Sequence, residues 1–187
     1  MEQVLVRSER NVVLRQAVGV ALGAALVALA AQVAVPLPGT PVPMTLQPLA
    51  VLLVGGLLGA RLGATSMVLY LALGIAGLPV FTPTVPLLGV ARLLGPTGGY
   101  LLAYPLAAFA VGAIVRDGRD WRRAALGVLA GLVLIHVGGL AQLVILTGNV
   151  EGAARLGTLP FLLGDLGKVA VAVAVLTKLT PAVRARL

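Results

Sequence analysis

No charged residue stands between Arg15 and Arg61, between Arg61 and Arg92, between Arg92 and Arg116, or between Arg123 and Glu151. Apolar runs of this length leave few folds open. Only 11% of residues are charged and 59% are hydrophobic, with a mean hydropathy of +1.07. A soluble domain carries roughly 25% charged residues. The chain therefore reads as an all-α integral membrane protein, one domain over residues 1–187. The N-terminus from Met1 to Arg15 is charged, and the run from Val18 to Val35 is long enough to span. We read it as a retained helix and not as a cleaved signal, which has a short apolar core and a processing site.

Six apolar segments can be drawn, at 12–35, 47–60, 62–78, 98–115, 124–147 and 159–179. A spanning helix needs about 20 apolar residues, so the second and third are short enough to be tilted, bent or re-entrant. Charge tests the count. Six spans with both termini cytoplasmic put Arg7, Arg10, Arg15, Arg61, Arg116, Arg119, Arg122, Arg123, Lys178, Arg184 and Arg186 on the inner side, against Arg92 and Arg155 outside. That follows the positive-inside rule; five or seven helices would scatter the basic loops. Trp121, within the 116–123 cluster, reads as an interfacial residue. The implied location is a bacterial or archaeal plasma membrane, crossed several times.

The outer connections differ in kind. Residues 36–46 are proline-rich and uncharged, hence stiff and non-helical. Residues 78–97 are long and apolar, the character of a lid or binding loop folded onto the protein. Residues 148–157 read as a small polar connection.

Asp165 and Lys168 lie inside the last apolar segment. An ionisable residue there costs about 3 kcal/mol or more unless compensated, and by default marks a functional site. At i, i+3 the two share a helix face, about 8–13 Å below the outer end of that helix. They can pair with each other or with a polar ligand. Further candidates are Thr45 and Gln47, which could reach a ligand or cap the second helix. The turn at Gly98 permits close backbone approach. Tyr100 could stack on a ligand or anchor at the interface, and Arg92 could meet a carboxylate or be a solvated charge on a lid. His136 fits a neutral histidine bonded within the bundle better than a proton relay, with no sign in the sequence that it meets Asp165. Gln142 and Asn149 carry the same ambiguity.

Several functions are excluded. There is no cysteine and only one histidine, so no metal centre or metal cofactor is expected. The net charge of +8 is spread between spans and not gathered into a patch with aromatics, which argues against nucleic acid. Gly164 to Val169 has the wrong spacing for a phosphate-binding loop and lacks its hydroxyl. No nucleophile–base set points to an enzyme. Small residues recur at i, i+4, as in Gly19/Gly23, Gly55/Gly59/Gly63 and Gly127/Gly131, and Ala17/Ala21/Ala25 on the first helix. Such faces pack a bundle or dock another membrane subunit.

Five stretches in order carry a resemblance: Pro41 to Gln47, Gly59 to Ala64, Tyr70 to Phe81, Leu94 to Leu101, and Gly164 to Lys168. Together they resemble the BioY family, the substrate-binding S components of energy-coupling-factor biotin transporters, over roughly residues 10–180. The resemblance implies a six-helix subunit that binds biotin from outside. Its partners would be a transmembrane coupling subunit and two ATPase subunits, so that ATP is hydrolysed elsewhere. It implies ligand contacts at Asp165 and Lys168, loops closing over the ligand, and a docking face at Ala17, Ala21 and Ala25. The chain departs from the family pattern at Thr82 to Arg92, where many relatives are glycine-rich. The competing readings are a self-sufficient small secondary transporter or channel using His136 and Asp165, and a subunit for another vitamin. The transporter reading predicts internal repeats, and the two halves show no convincing self-similarity.

Overall fold

The computed structural model describes residues 2–187, with side chains placed from Arg10 onward; the side chain of Arg7 lies outside the described residues. The chain is mostly helical. Helix α1 (Glu2–Gln32) is followed by two short strands, β1 (Ala34–Val35) and β2 (Met44–Thr45), then α2 (Gln47–Leu58), α3 (Ala60–Ile75), α4 (Val90–Leu94), α5 (Gly98–Val115), α6 (Trp121–Thr147), α7 (Val150–Gly157), a 3-10 turn (Leu159–Phe161) and α8 (Leu162–Arg184). Among the described residues four stretches are long and apolar enough to cross a membrane: Arg10–Gln32, Gly98–Val115, Trp121–Thr147 and Val150–Arg184. Helices α2 and α3 are shorter, with 12 and 16 residues.

The boundary between α2 and α3 is a reversal at Gly59, whose φ of 88° is easy only for glycine. Beyond it the two helices run back along each other. Gly63 packs on the backbone of Gly55, and the Gln47 amide donates to the Tyr70 hydroxyl at 2.6 Å. Helices α5 and α6 are likewise antiparallel. At one end Gly99 and Gly138 bring backbone against backbone, and at the other Gly127 meets Val115. The small-residue repeats are thus largely consumed in packing: Gly23 faces Ser66 and Val54, Gly55 faces Ala108, and Gly131 faces Val111 and Leu52. Ala17, Ala21 and Ala25 are different, because all three are exposed along α1.

Several expected boundaries shift. The first helix begins earlier and stops at Gln32, where the chain must turn into the proline-rich segment. That segment is closed at its base by antiparallel pairing of Ala34 with Thr45 and of Val35 with Met44. Residues 148–157 are not a polar loop. They form α7, capped by the Asn149 side chain, which accepts from the N–H groups of Glu151 and Gly152. Residues 78–97 contain α4 and fold down onto the bundle, burying Phe81 and Thr82. The last helix runs on to Arg184, whose guanidinium donates to the carbonyls of Gly56 at 2.7 Å and Gly112 at 3.2 Å.

Three connections gather at the same end of the bundle and are tied together. The Thr40 hydroxyl donates to the carbonyl of Leu156 at 2.5 Å. Gln32 donates to the carbonyls of Pro79 at 3.5 Å and Phe81 at 3.4 Å. Beneath them lies the candidate site.

Candidate functional site

The last helix supplies the charged floor of a cavity. Lys168 Nζ donates to Asp165 Oδ1 at 2.8 Å, the i, i+3 contact expected on one helix face. The second carboxylate oxygen, Oδ2, lies 2.7 Å from His136 Nε2 on α6. Nothing in the residue order ties these two side chains together. Their contact arises because α6 packs beside α8, and the Tyr100 ring on α5 stands edge-on to His136 with centroids 6.3 Å apart. Asp165 and Lys168 are both buried.

The walls and roof come from several elements at this end. Val42, Pro43 and Thr45 belong to the first loop, Gln47 and Pro48 to the start of α2, Thr82, Arg92 and Thr97 to the second loop. Leu101, Tyr104, Ile135 and Phe161 give it apolar and aromatic surface. Thr45 and Gln47 line the cavity. The N-cap of α2 is Leu46, which has no side-chain cap, but the Thr45 hydroxyl accepts from the Gln47 N–H at 3.3 Å at the helix entrance.

Arg92 is not a solvated charge on a lid. It is 1% exposed. Its guanidinium donates to the carbonyls of Thr82 at 3.0 Å and Val85 at 2.6 Å, and lies 6.0 Å from the centre of the Phe81 ring. Loop carbonyls replace the water that a charged loop residue would otherwise keep. Burial pulls its pKa below the ordinary value while Tyr70 and Tyr104 push it back up, and the guanidinium remains charged. Tyr100 is not an interfacial anchor either, because it is buried and its hydroxyl donates to the carbonyl of Gly157 at 2.5 Å. Gly98 stands outside the cavity wall; the space where its side chain would be is filled by the carbonyl of Leu93. Gln142 braces the turn before α5, donating to Leu94 O at 3.2 Å, and Asn149 caps α7. Neither lines the cavity.

The chemistry of this wall is specific. Two cations, Arg92 and Lys168, face one anion, Asp165, among the lining residues. With His136 neutral, the formal surplus is one positive charge. Three buried polar atoms on lining residues have no hydrogen-bond partner: Arg92 Nε, Thr97 Oγ1 and His136 Nδ1. Buried polar groups are nearly always satisfied, and these three share one cavity, while Thr158 Oγ1, Thr180 Oγ1 and Arg184 Nε are unpartnered elsewhere. A small polar anion with an apolar body fits this wall. Among the described residues no cluster of His, Cys, Asp and Glu is suited to hold a metal.

Comparison with known proteins decides the family. A model of the BioY family matches residues 3–185. The chain belongs to the BioY family. It is 41% identical to a probable biotin transporter BioY of Pyrococcus horikoshii over 86% of this chain and 93% of the relative. It is 33% identical to the biotin transporter BioY of Thermotoga maritima over 89% and 96% of the two chains. The fold matches the crystal structure of an S-component for biotin from an ECF-type ABC transporter, with a TM-score of 0.81, 27% identity, and 90% and 92% coverage. BioY proteins are membrane transporters, in keeping with the four stretches long enough to cross a bilayer.

Within this BioY fold, sequence reasoning missed Tyr104, Phe161 and His136 as cavity-lining residues, while Thr97 lies in the loop expected to close over the site. Tyr104 and Phe161 carry no sequence signal that separates them from ordinary packing. His136 was noticed as a polar residue in mid-span, but only the packing of α6 beside α8 places it on Asp165.

Proposed function

We propose that this chain is the biotin-binding subunit of an ATP-driven uptake transporter. It is a single domain of six membrane-crossing helices with both termini in the cytoplasm. The observation that carries the reading is the Lys168–Asp165–His136 cluster on the wall of a cavity roofed by both long loops, in a chain of the BioY family. Biotin offers what that wall lacks. Its cyclic urea has two N–H donors for Asp165 and a carbonyl acceptor for Lys168. Its fused ring and chain suit Leu101, Tyr104, Ile135 and Phe161. Its carboxylate meets the surplus positive charge, with Arg92 the candidate partner. A charge-assisted hydrogen bond contributes roughly 1.5–3 kcal/mol.

ATP hydrolysis belongs to two partner ATPase subunits, reached through a transmembrane coupling subunit. The exposed small-residue face at Ala17, Ala21 and Ala25 is where that subunit docks, since it alone among the small-residue repeats of the sequence is left free of intramolecular packing. The topology follows from charge: Arg61, the 116–123 cluster and Arg184 sit at the end opposite the cavity, and basic residues favour the cytoplasmic side. The natural absence of cysteine allows a direct check, because a single cysteine at Thr84 or at Arg119 should label from opposite faces of sealed vesicles.

The contact of His136 with Asp165 favours one point of the rival reading, a proton path. The path has no continuation. Between Asp165 and the basic end lies an apolar layer of Leu52, Val111, Val128, Ala172 and Leu176. Titration of the purified protein with radiolabelled biotin tests the main reading. Saturable one-to-one binding without partner subunits is expected, and its absence in folded protein would reject the assignment.

A further inference from the structure

We propose that His136 is a positioning residue of the ligand site. It holds the Asp165 carboxylate as a fixed acceptor from a second helix, and so makes the site select ligands that present N–H donors. The inference rests on the biotin reading for its ligand, but its geometry stands without it. Lys168 secures only Oδ1, from within the same helix. A carboxylate held at one oxygen keeps a broad, soft terminal torsion. His136 takes Oδ2 at 2.7 Å from α6, so the two oxygens are held from two different helices. Each still has a lone pair to spare for a ligand.

The tautomer follows from chemistry. An ionised carboxylate only accepts, so Nε2 carries the proton given to Asp165. In the neutral ring Nδ1 is then the acceptor, and it is buried with no hydrogen-bond partner. The ring itself is held by its edge-on contact with Tyr100, at an interplanar angle of 78°. Asp165 thus contributes acceptors to the cavity, while Lys168 and Arg92 contribute donors. An analogue whose ring N–H is replaced by oxygen or N-methyl leaves the clamped carboxylate without a proton to accept. A carboxylate free to turn could find another partner; a clamped one cannot.

The chain has one histidine, so a protein labelled with 15N-histidine and made without a polyhistidine tag gives the spectrum of His136 alone. The expected result is a protonated Nε2 and an unprotonated Nδ1, with that preference lost in Asp165→Asn. Protonation at Nδ1, at both nitrogens, or a tautomer indifferent to Asp165→Asn overturns the proposal. Binding supplies the second readout. His136→Leu should weaken biotin binding at least about tenfold, and His136→Gln, whose amide can reach Oδ2 with an N–H, should recover most of it. The discrimination between biotin and its N-methylated analogue should shrink in His136→Leu. A smaller loss in the leucine variant, or equal losses in both variants, overturns it. Should the wild type fail to bind biotin, the ligand reading fails, and the positioning role is decided by the imidazole spectrum, which needs no ligand and no altered fold.

Discussion

At the loop end of the bundle, Asp165, Lys168, Arg92 and His136 are brought inward around a cavity, and three of the lining residues keep a polar atom without a partner. At the opposite end Leu52, Val111, Val115, Ala124, Val128, Ala172 and Leu176 close on one another. Glycines there let backbones approach closely, as Gly112 does against Ala60. Both halves are made from the same apolar helices, so hydropathy does not separate them. What differs is what the polar groups face. In the closed half Arg184 Nη2 donates to the carbonyls of Gly56 and Gly112, while Arg184 Nε and Thr180 Oγ1 are buried without a partner. In the cavity half the groups hold one another and retain capacity for a ligand. A buried ion pair is often no better for stability than well-packed apolar residues. The comparison therefore teaches that the cavity half gives up close packing for recognition, and that the closed half holds the helices together.

The sharpest way to break that division is to replace both charges with Asp165→Leu and Lys168→Leu in one protein. Biotin affinity should fall at least about 100-fold, since two charge-assisted hydrogen bonds are lost. The melting temperature should stay level or rise. Calorimetric titration and thermal unfolding report the two quantities, and a melting temperature that collapses along with affinity would show that the pair is structural. In the closed half, Gly112→Val should do the reverse. The new side chain meets the backbone of Ala60, and overpacking of this kind costs about 1–3 kcal/mol. Stability should drop while the fraction that remains folded binds biotin with unchanged affinity. A selective loss of affinity would mean that the halves are coupled.

A smaller effect is expected at Arg92. Arg92→Gln should weaken biotin about tenfold but hardly alter binding of the uncharged methyl ester, if the guanidinium meets the ligand carboxylate. Equal weakening of both would make Arg92 a strut that ties Thr82 and Val85 together and nothing more. The smallest effect on binding belongs to neither half. Ala21→Leu, on the exposed face of α1, should leave biotin affinity within about twofold. It should still impair uptake in membranes that contain the coupling and ATPase subunits, measured with radiolabelled biotin.

The chain's own order already exposed much of this. Asp165 and Lys168 stood out because charge in an apolar run is costly wherever the helix ends up. The reversal at Gly59 and the lid character of residues 78–97 were readable from breakers and composition. Helix α7 was readable too, had the capping pattern Asn149-Val150-Glu151 been weighed against the segment's small size. Arg92 was not readable. An arginine in a loop is solvated by default, and only the folded course of residues 82–92 brings the carbonyls that replace water. His136 was visible as a polar residue in mid-span, yet nothing in its distance along the chain ties it to Asp165.

Hydropathy, charge placement and helical periodicity are local properties, so the residue order alone determined a helical membrane protein and the helix face on which its ion pair sits. The cavity, the burial of Arg92 and the second hold on the Asp165 carboxylate depend on hydrogen bonds between segments far apart in the chain. Those partners exist only once helices α5, α6 and α8 have packed and the loops have closed over them, which is why the tertiary structure decided them.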